Sequence, residues 1–170
     1  MPLDPKSESI LAQVHPHLAE LVRKVVASLG HDCRVISGLR TYAEQNALYA
    51  KRPKVTNAKG GQSNHNFGLA CDLGFFENGK YLQDSPLYDQ IQKAAHAVGL
   101  ESGADWKHIH DRPHVQLPSD LIVKGTPTNA CRALFAKGGL PAIFAHVSAA
   151  SPVSHPTASG SHTEGQGTPG

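Results

Sequence analysis

Phe67-Gly68-Leu69-Ala70-Cys71-Asp72-Leu73 alternates without a break. On a strand, Phe67, Leu69, Cys71 and Leu73 share one face, and Gly68, Ala70 and Asp72 share the other. The first face reads as core. The second carries two small residues and one carboxylate, which leaves space beside the acid. A second strand is expected at Val115-Gln116-Leu117, directly after Pro113-His114, and a short third one at Arg34-Val35-Ile36-Ser37. Helical spacing precedes them. Apolar residues from Ile10 to Leu29 form one stripe interrupted by Pro16, so a short helix ends near Val14 and a longer one runs from Pro16 to the stop at Gly30. Thr41 and Glu44 form a capping box for a helix to about Ala50. Ser85-Pro86 opens a helix that Gly99 closes. Residues 51–64 read as a long loop, and 129–136 as a last short helix ending before Gly138-Gly139. The expected class is α+β, a compact domain with helices packed on a small antiparallel sheet.

The chain has 170 residues, enough for one domain and a tail. Residues 1–146 are expected to fold. Residues 147–170 are mostly Ser, Pro, Gly and Thr with Glu164 as the single charge, a composition that favours disorder. The net charge of +2 and the absence of a basic stripe argue against nucleic acid as a partner. No apolar run is long enough for membrane insertion. The start, MPLDPKSESI, lacks the features of a secretory signal, so synthesis in the cytoplasm is expected. Three cysteines, Cys33, Cys71 and Cys131, have no metal-binding or paired spacing. Histidine is abundant, at 11 residues, which hints at metal or proton chemistry.

His65 stands seven residues before Asp72, and Asp111 stands three before His114. A catalytic zinc takes three N or O ligands and leaves a fourth position for water. His65, Asp72 and His114 would supply those ligands, and Asp111 would remain as a base. The spacing alone leaves other readings open. Such intervals arise by chance, Asp111 could cap a turn before Pro113, and His108 and His110 form a rival metal-binding pair.

Several ordered blocks resemble the M15 peptidases of the peptidoglycan-cleaving zinc group. Ser63, His65, Gly68, Ala70 and Asp72, followed by Asp111 and His114, match the pattern SxHxxGxAxD with a downstream acid–x–x–His unit. Val14-His15-Pro16-His17-Leu18, Ser37-Gly38-Leu39-Arg40-Thr41 with Glu44-Gln45, the loop Gly60 to Gly68, and Ala104-Asp105-Trp106-Lys107 resemble further blocks of the L-alanyl-D-glutamate endopeptidases in this group. The likeness spans roughly residues 10 to 117. Cys71, Val115, Ser102 and Ala104 depart from the pattern, and the last two point to a changed pocket wall.

The resemblance implies one Zn2+ per chain held by His65, Asp72 and His114, with Asp111 as general base. It implies that Arg40 touches substrate or a developing oxyanion, against the alternative of a surface salt bridge. Ser63 is expected either to bond a substrate carboxylate or to shape its loop. The implied activity is zinc-dependent hydrolysis of a peptidoglycan stem-peptide amide, with the L-alanyl-D-glutamate bond foremost. D-Ala-D-Ala carboxypeptidase activity and non-catalytic binding of wall peptide are the alternatives. The implied enzyme is a monomer that reaches the cell wall after release or delivery, as an endolysin or an effector would.

Overall fold

The computed structural model describes residues 2–107 and 110–149. Two N-terminal helices, α1 (Pro5–Leu11) and α2 (Pro16–Ser28), lead into strand β1 (Cys33–Ser37) and helix α3 (Tyr42–Ala50). Strands β2 (Ala70–Glu77) and β3 (Lys80–Tyr81) follow, then α4 (Asp89–Ala97), β4 (Glu101–Ser102) and β5 (His114–Gln116). A small hairpin, β6 (Ile122–Val123) and β7 (Thr126–Pro127), precedes α5 (Asn129–Ala149). This is the expected α+β arrangement.

The main sheet has the order β1-β2-β5-β4, with β3 added to the far end of β2. Its pairings are antiparallel. Asp72 on the central strand lies opposite Ser37 on one side and His114 on the other. The pairing with β1 is irregular between Val35 and Ser37, just where the chain leaves for Arg40.

The buried stripe of α2, with Leu18, Leu21, Val22, Val25 and Val26, belongs to one core cluster with Val35, Leu69, Leu73, Phe75 and Val115 of the sheet region. Burying each such side chain stabilises the fold by about 2 kcal/mol before the entropy of ordering is set against it. Pro16 opens α2, and His15 caps it by accepting the His17 N–H at Nδ1. The expected capping box is present, with Thr41 Oγ1 accepting from Glu44 N. Ser85 caps a 3-10 turn that runs into α4.

Two expectations are corrected. The strand read from Phe67 begins only at Ala70. Residues Asn64–Phe67 form a 3-10 turn that ends at Gly68 in the left-handed region (φ 67°). A β-carbon at Gly68 would also lie 2.8 Å from the Phe144 ring. Phe67 and Leu69 are buried as read, but by a turn followed by a strand. The helix read at 129–136 does break at the glycine pair, but a further helix follows it, across the expected tail boundary. Gly139 leaves the helical conformation (φ 65°, ψ −162°), and helix resumes through Pro141 to Ala149. Proline is tolerated in the first turn of the resumed segment. The boundary placed after His146 therefore falls inside α5. Val147 joins the core, and Ser148 Oγ lies 2.8 Å from His15 Nε2. Residues 150–170, the rest of the expected tail, lie outside the described residues.

Candidate metal centre

The 3-10 turn Asn64–Phe67 presents His65, strand β2 presents Asp72, and β5 presents His114. One ligand atom from each lies within 4.8 Å of the others. His65 Nε2 and His114 Nδ1 both sit 3.3 Å from Asp72 Oδ1. Both imidazoles are almost fully buried. His65 Nδ1 donates to the Gly38 carbonyl at 2.7 Å. His114 Nε2 lies 2.7 Å from Gln116 Oε1. Each ring thus has its outward nitrogen engaged by an oxygen and turns the other toward Asp72. The inward nitrogen then carries a proton only in the imidazolium form. A cation at the same place would be met by two ring nitrogens and a carboxylate oxygen together. The donor set suits a three-ligand site that keeps a position open.

The second oxygen of Asp72 is held as well. Arg40 Nη2 donates to Asp72 Oδ2 at 3.1 Å and to Ser37 Oγ at 3.0 Å. Arg40 Nη1 donates to Gln45 Oε1 at 3.1 Å. Gln45 is buried, and its Nε2 donates to the Ala58 carbonyl. The Arg40 side chain is only 19% exposed, so this is no surface salt bridge. Burial alone would raise the Asp72 carboxyl. The His65 charge and hydrogen bonds from both rings outweigh that and hold it well below the usual carboxylate range. Burial would lower His114, but its bond to Asp72 and the nearby carboxylate charges raise it.

Asp111 enters from the loop before β5. Its N–H donates to the Gly103 carbonyl at 3.0 Å, and its own carbonyl accepts from His114 N at 3.1 Å. Among the described residues its carboxylate takes no hydrogen bond. Burial pushes that carboxyl up, and the Asp72 charge adds to the effect. His114, His65 and Arg40 pull it the other way. The acid is therefore spatially and electrically coupled to the cluster.

Ser63 caps the turn that carries His65. Its Oγ accepts from His65 N at 3.3 Å, and the Asn66 side chain reciprocates at Ser63 N. His110 is exposed, with Nδ1 3.0 Å from the Ala104 carbonyl, and it is not part of the three-residue cluster. His108 lies outside the described residues. Cys71 is fully buried opposite Val115, and burial pushes its thiol far up, as a core residue requires. The departure at Ser102 is a cap: its Oγ accepts from Ala104 N at 3.2 Å. Trp106 packs on the His114 ring with centroids 4.9 Å apart. Gln116, Glu101 and Asn64 complete the surroundings. Sequence reasoning passed over them, although Gln116 stands two residues after His114 and so shares its strand face.

A family model described as D-alanyl-D-alanine carboxypeptidase, within the M15 peptidases, matches residues 56–117. The chain is 32% identical over 125 residues to the peptidoglycan L-alanyl-D-glutamate endopeptidase CwlK of Bacillus subtilis, an alignment covering 62% of this chain and 74% of that protein. Its fold is similar to the crystal structure of the L-Ala D-Glu endopeptidase ChiX of Serratia marcescens, with a TM-score of 0.56 and 30% identity over 67% of this chain and 87% of that one.

Proposed function

Because the chain belongs to the M15 family of peptidases, and is thereby a metallopeptidase, we propose that it is a zinc enzyme that hydrolyses the L-alanyl-D-glutamate bond of the peptidoglycan stem peptide. The observation that carries this reading is the convergence of His65 Nε2, Asp72 Oδ1 and His114 Nδ1, with each ring's other nitrogen engaged by an oxygen. These three atoms would hold one zinc ion per chain. When bound, zinc polarises the scissile carbonyl and makes water a nucleophile near neutral pH.

The remaining chemistry belongs to the chain's own residues. Asp111 is the general base. Its carboxylate accepts the proton of the attacking water and returns it to the leaving amine. Arg40 anchors Asp72 through one nitrogen and keeps other N–H donors for a substrate carboxylate or the developing oxyanion. Ser63 shapes the turn that delivers His65. The L-alanyl-D-glutamate assignment draws on CwlK and ChiX, whose names state that specificity. Removal of a terminal D-alanine is the second reading, favoured by the description of the family model. The place of action is the cell wall.

The test is metal content beside hydrolysis of purified wall. One zinc per chain is expected, with activity lost to chelator and restored by added zinc. His65→Ala and His114→Ala, made separately, should each lose the metal. Hydrolysis that survives complete removal of zinc overturns the proposal.

A further inference from the structure

His114 has two ring nitrogens, and its surroundings determine which one carries the proton. Away from Asp72, its Nε2 faces the side-chain amide of Gln116 at 2.7 Å. An amide can offer either oxygen or NH2 to such a partner. Two acceptor-only groups remove that freedom. Gln116 Nε2 donates to the Glu101 carboxylate at 2.9 Å, and an ionised carboxylate has no proton to give. Asn64 Nδ2 donates to Gln116 Oε1 at 2.6 Å and also to the Gly125 carbonyl at 2.9 Å, which can only accept. The amide oxygen of Gln116 therefore faces His114, and His114 Nε2 must be the N–H. In the neutral ring Nδ1 is then a bare lone pair on the side of Asp72 Oδ1.

We propose that Glu101 and Gln116 are positioning residues that lock His114 in its Nε2–H tautomer and so keep Nδ1 ready as a metal ligand. The proposal rests on the zinc reading of the site given above. The sheet builds the relay directly. Gln116 and His114 lie on one face of β5, and Glu101 is the register partner of Gln116 across β4. Ala70 on β2 lies opposite Gln116, and its small side chain leaves the amide room. Gln116 is wholly buried. Turning its amide over would aim the oxygen at the Glu101 carboxylate and the NH2 at the Asn64 NH2, leaving buried groups unsatisfied. Asn64 fits the same scheme. Its oxygen has no hydrogen-bond partner among the described residues, whereas its nitrogen makes both bonds that orient Gln116 and the hairpin turn. The side chain is held for its donor.

The experiment measures zinc dissociation constants by chelator competition on the full chain. The variants are Gln116→Leu, Glu101→Gln, and the exchange Gln116→Glu combined with Glu101→Gln. The exchange keeps an acceptor beside His114 and a donor beside that acceptor, with the charge moved one position along the relay. Long-range 15N–1H spectra of the metal-free proteins, recorded at alkaline pH, report the His114 tautomer. Gln116→Leu should weaken zinc binding by ~10–100-fold and populate both tautomers, the usual scale for removing the partner of a metal-bound histidine. The exchange should recover most of the loss and restore the Nε2–H form. Wild-type zinc affinity in Gln116→Leu, or an exchange variant as weak as Gln116→Leu, overturns the relay. If Gln116→Leu does not fold, Glu101→Gln decides. Mixed tautomers with weakened zinc binding support the relay, and an unchanged tautomer with unchanged affinity overturns it. A wild-type protein that binds no zinc would instead overturn the reading of the site, and the tautomer spectra would still judge the relay.

Discussion

Replacing Gly103 by alanine would place a methyl carbon 2.2 Å from the Asp111 carbonyl oxygen and 3.0 Å from the β-carbons of both Asp111 and His114. The nearest atom belongs to the backbone, so no side-chain rotation relieves the clash. The same carbonyl oxygen accepts the His114 N–H, and Asp111 N in turn donates to Gly103. The segment from Asp111 to His114 is thus stitched against residue 103. It must retreat by roughly 1 Å before the contact is tolerable in a close-packed interior. Overpacking of this kind costs about 1–3 kcal/mol of stability. A misplacement of about 1 Å at a reacting group costs on the order of 100-fold in rate. Asp111 meets the added methyl first and His114 is displaced with it, so turnover should fall ~100-fold and zinc affinity should weaken as well. Gly30→Ala is the control. Gly30 sits at φ 67° beyond α2 with open space around it, so alanine there brings strain of about 1–2 kcal/mol and no contact with the site. The assay is turnover on purified wall, melting temperature and zinc content for both variants. Gly103→Ala with wild-type turnover, or Gly30→Ala losing as much activity, would refute the reasoning.

Three further outcomes are expected. Asp111→Asn should fold and bind zinc normally yet lose at least ~100-fold in turnover, whereas Asp72→Asn should lose zinc itself; metal content and rate measured side by side would expose the two roles if they were interchanged. Arg40→Lys should lower kcat/KM by roughly 10-fold with zinc retained, because an ammonium cannot reproduce the forked contacts to Asp72, Ser37 and Gln45; unchanged kcat/KM would remove Arg40 from the machinery. Stability should drop on mild acidification through His15. Burial lowers its pKa from the ordinary 6.5, opposed by the Phe144 carbonyl bond and aided by His17, and protonation at Nδ1 would break the cap on His17 N. The unfolded chain therefore binds the proton at higher pH, and stability that is complete above about 6.5 is lost as the pH falls through the folded value. His15→Asn should flatten that part of the melting profile between pH 7 and 5, and an identical profile would exclude His15 as the cause.

Much of this molecule was legible in local sequence. The Thr41–Glu44 capping box, the Ser85-Pro86 start and the α2 stripe are each decided within a few residues, so short-range chemistry suffices to read them. The grouping of His65, Asp72 and His114 was legible through motif resemblance, and the geometry brings these residues together. What escaped depends on distant partners. The pattern from Phe67 to Leu73 has period two, but Gly68 takes a left-handed conformation under the Phe144 ring, and no neighbour in sequence reveals that ring. Gly138-Gly139 reads as a stop and Gly139 does break the helix, but the further helix beyond it, which puts Ile143 and Val147 in the core, went unread. Arg40 finds Asp72 across 32 positions. Gln116 carried a signal, its shared face with His114, but only the approach of Glu101 and Asn64 gives that amide an orientation.

The central claim, zinc-dependent cleavage at L-alanyl-D-glutamate, is tested most directly by a muropeptide digest resolved by mass, run with zinc and with chelator. The account expects fragments ending in L-alanine and matching peptides beginning with D-glutamate, both absent when zinc is removed. Fragments shortened only by a terminal D-alanine, or products that persist in chelator, would contradict it.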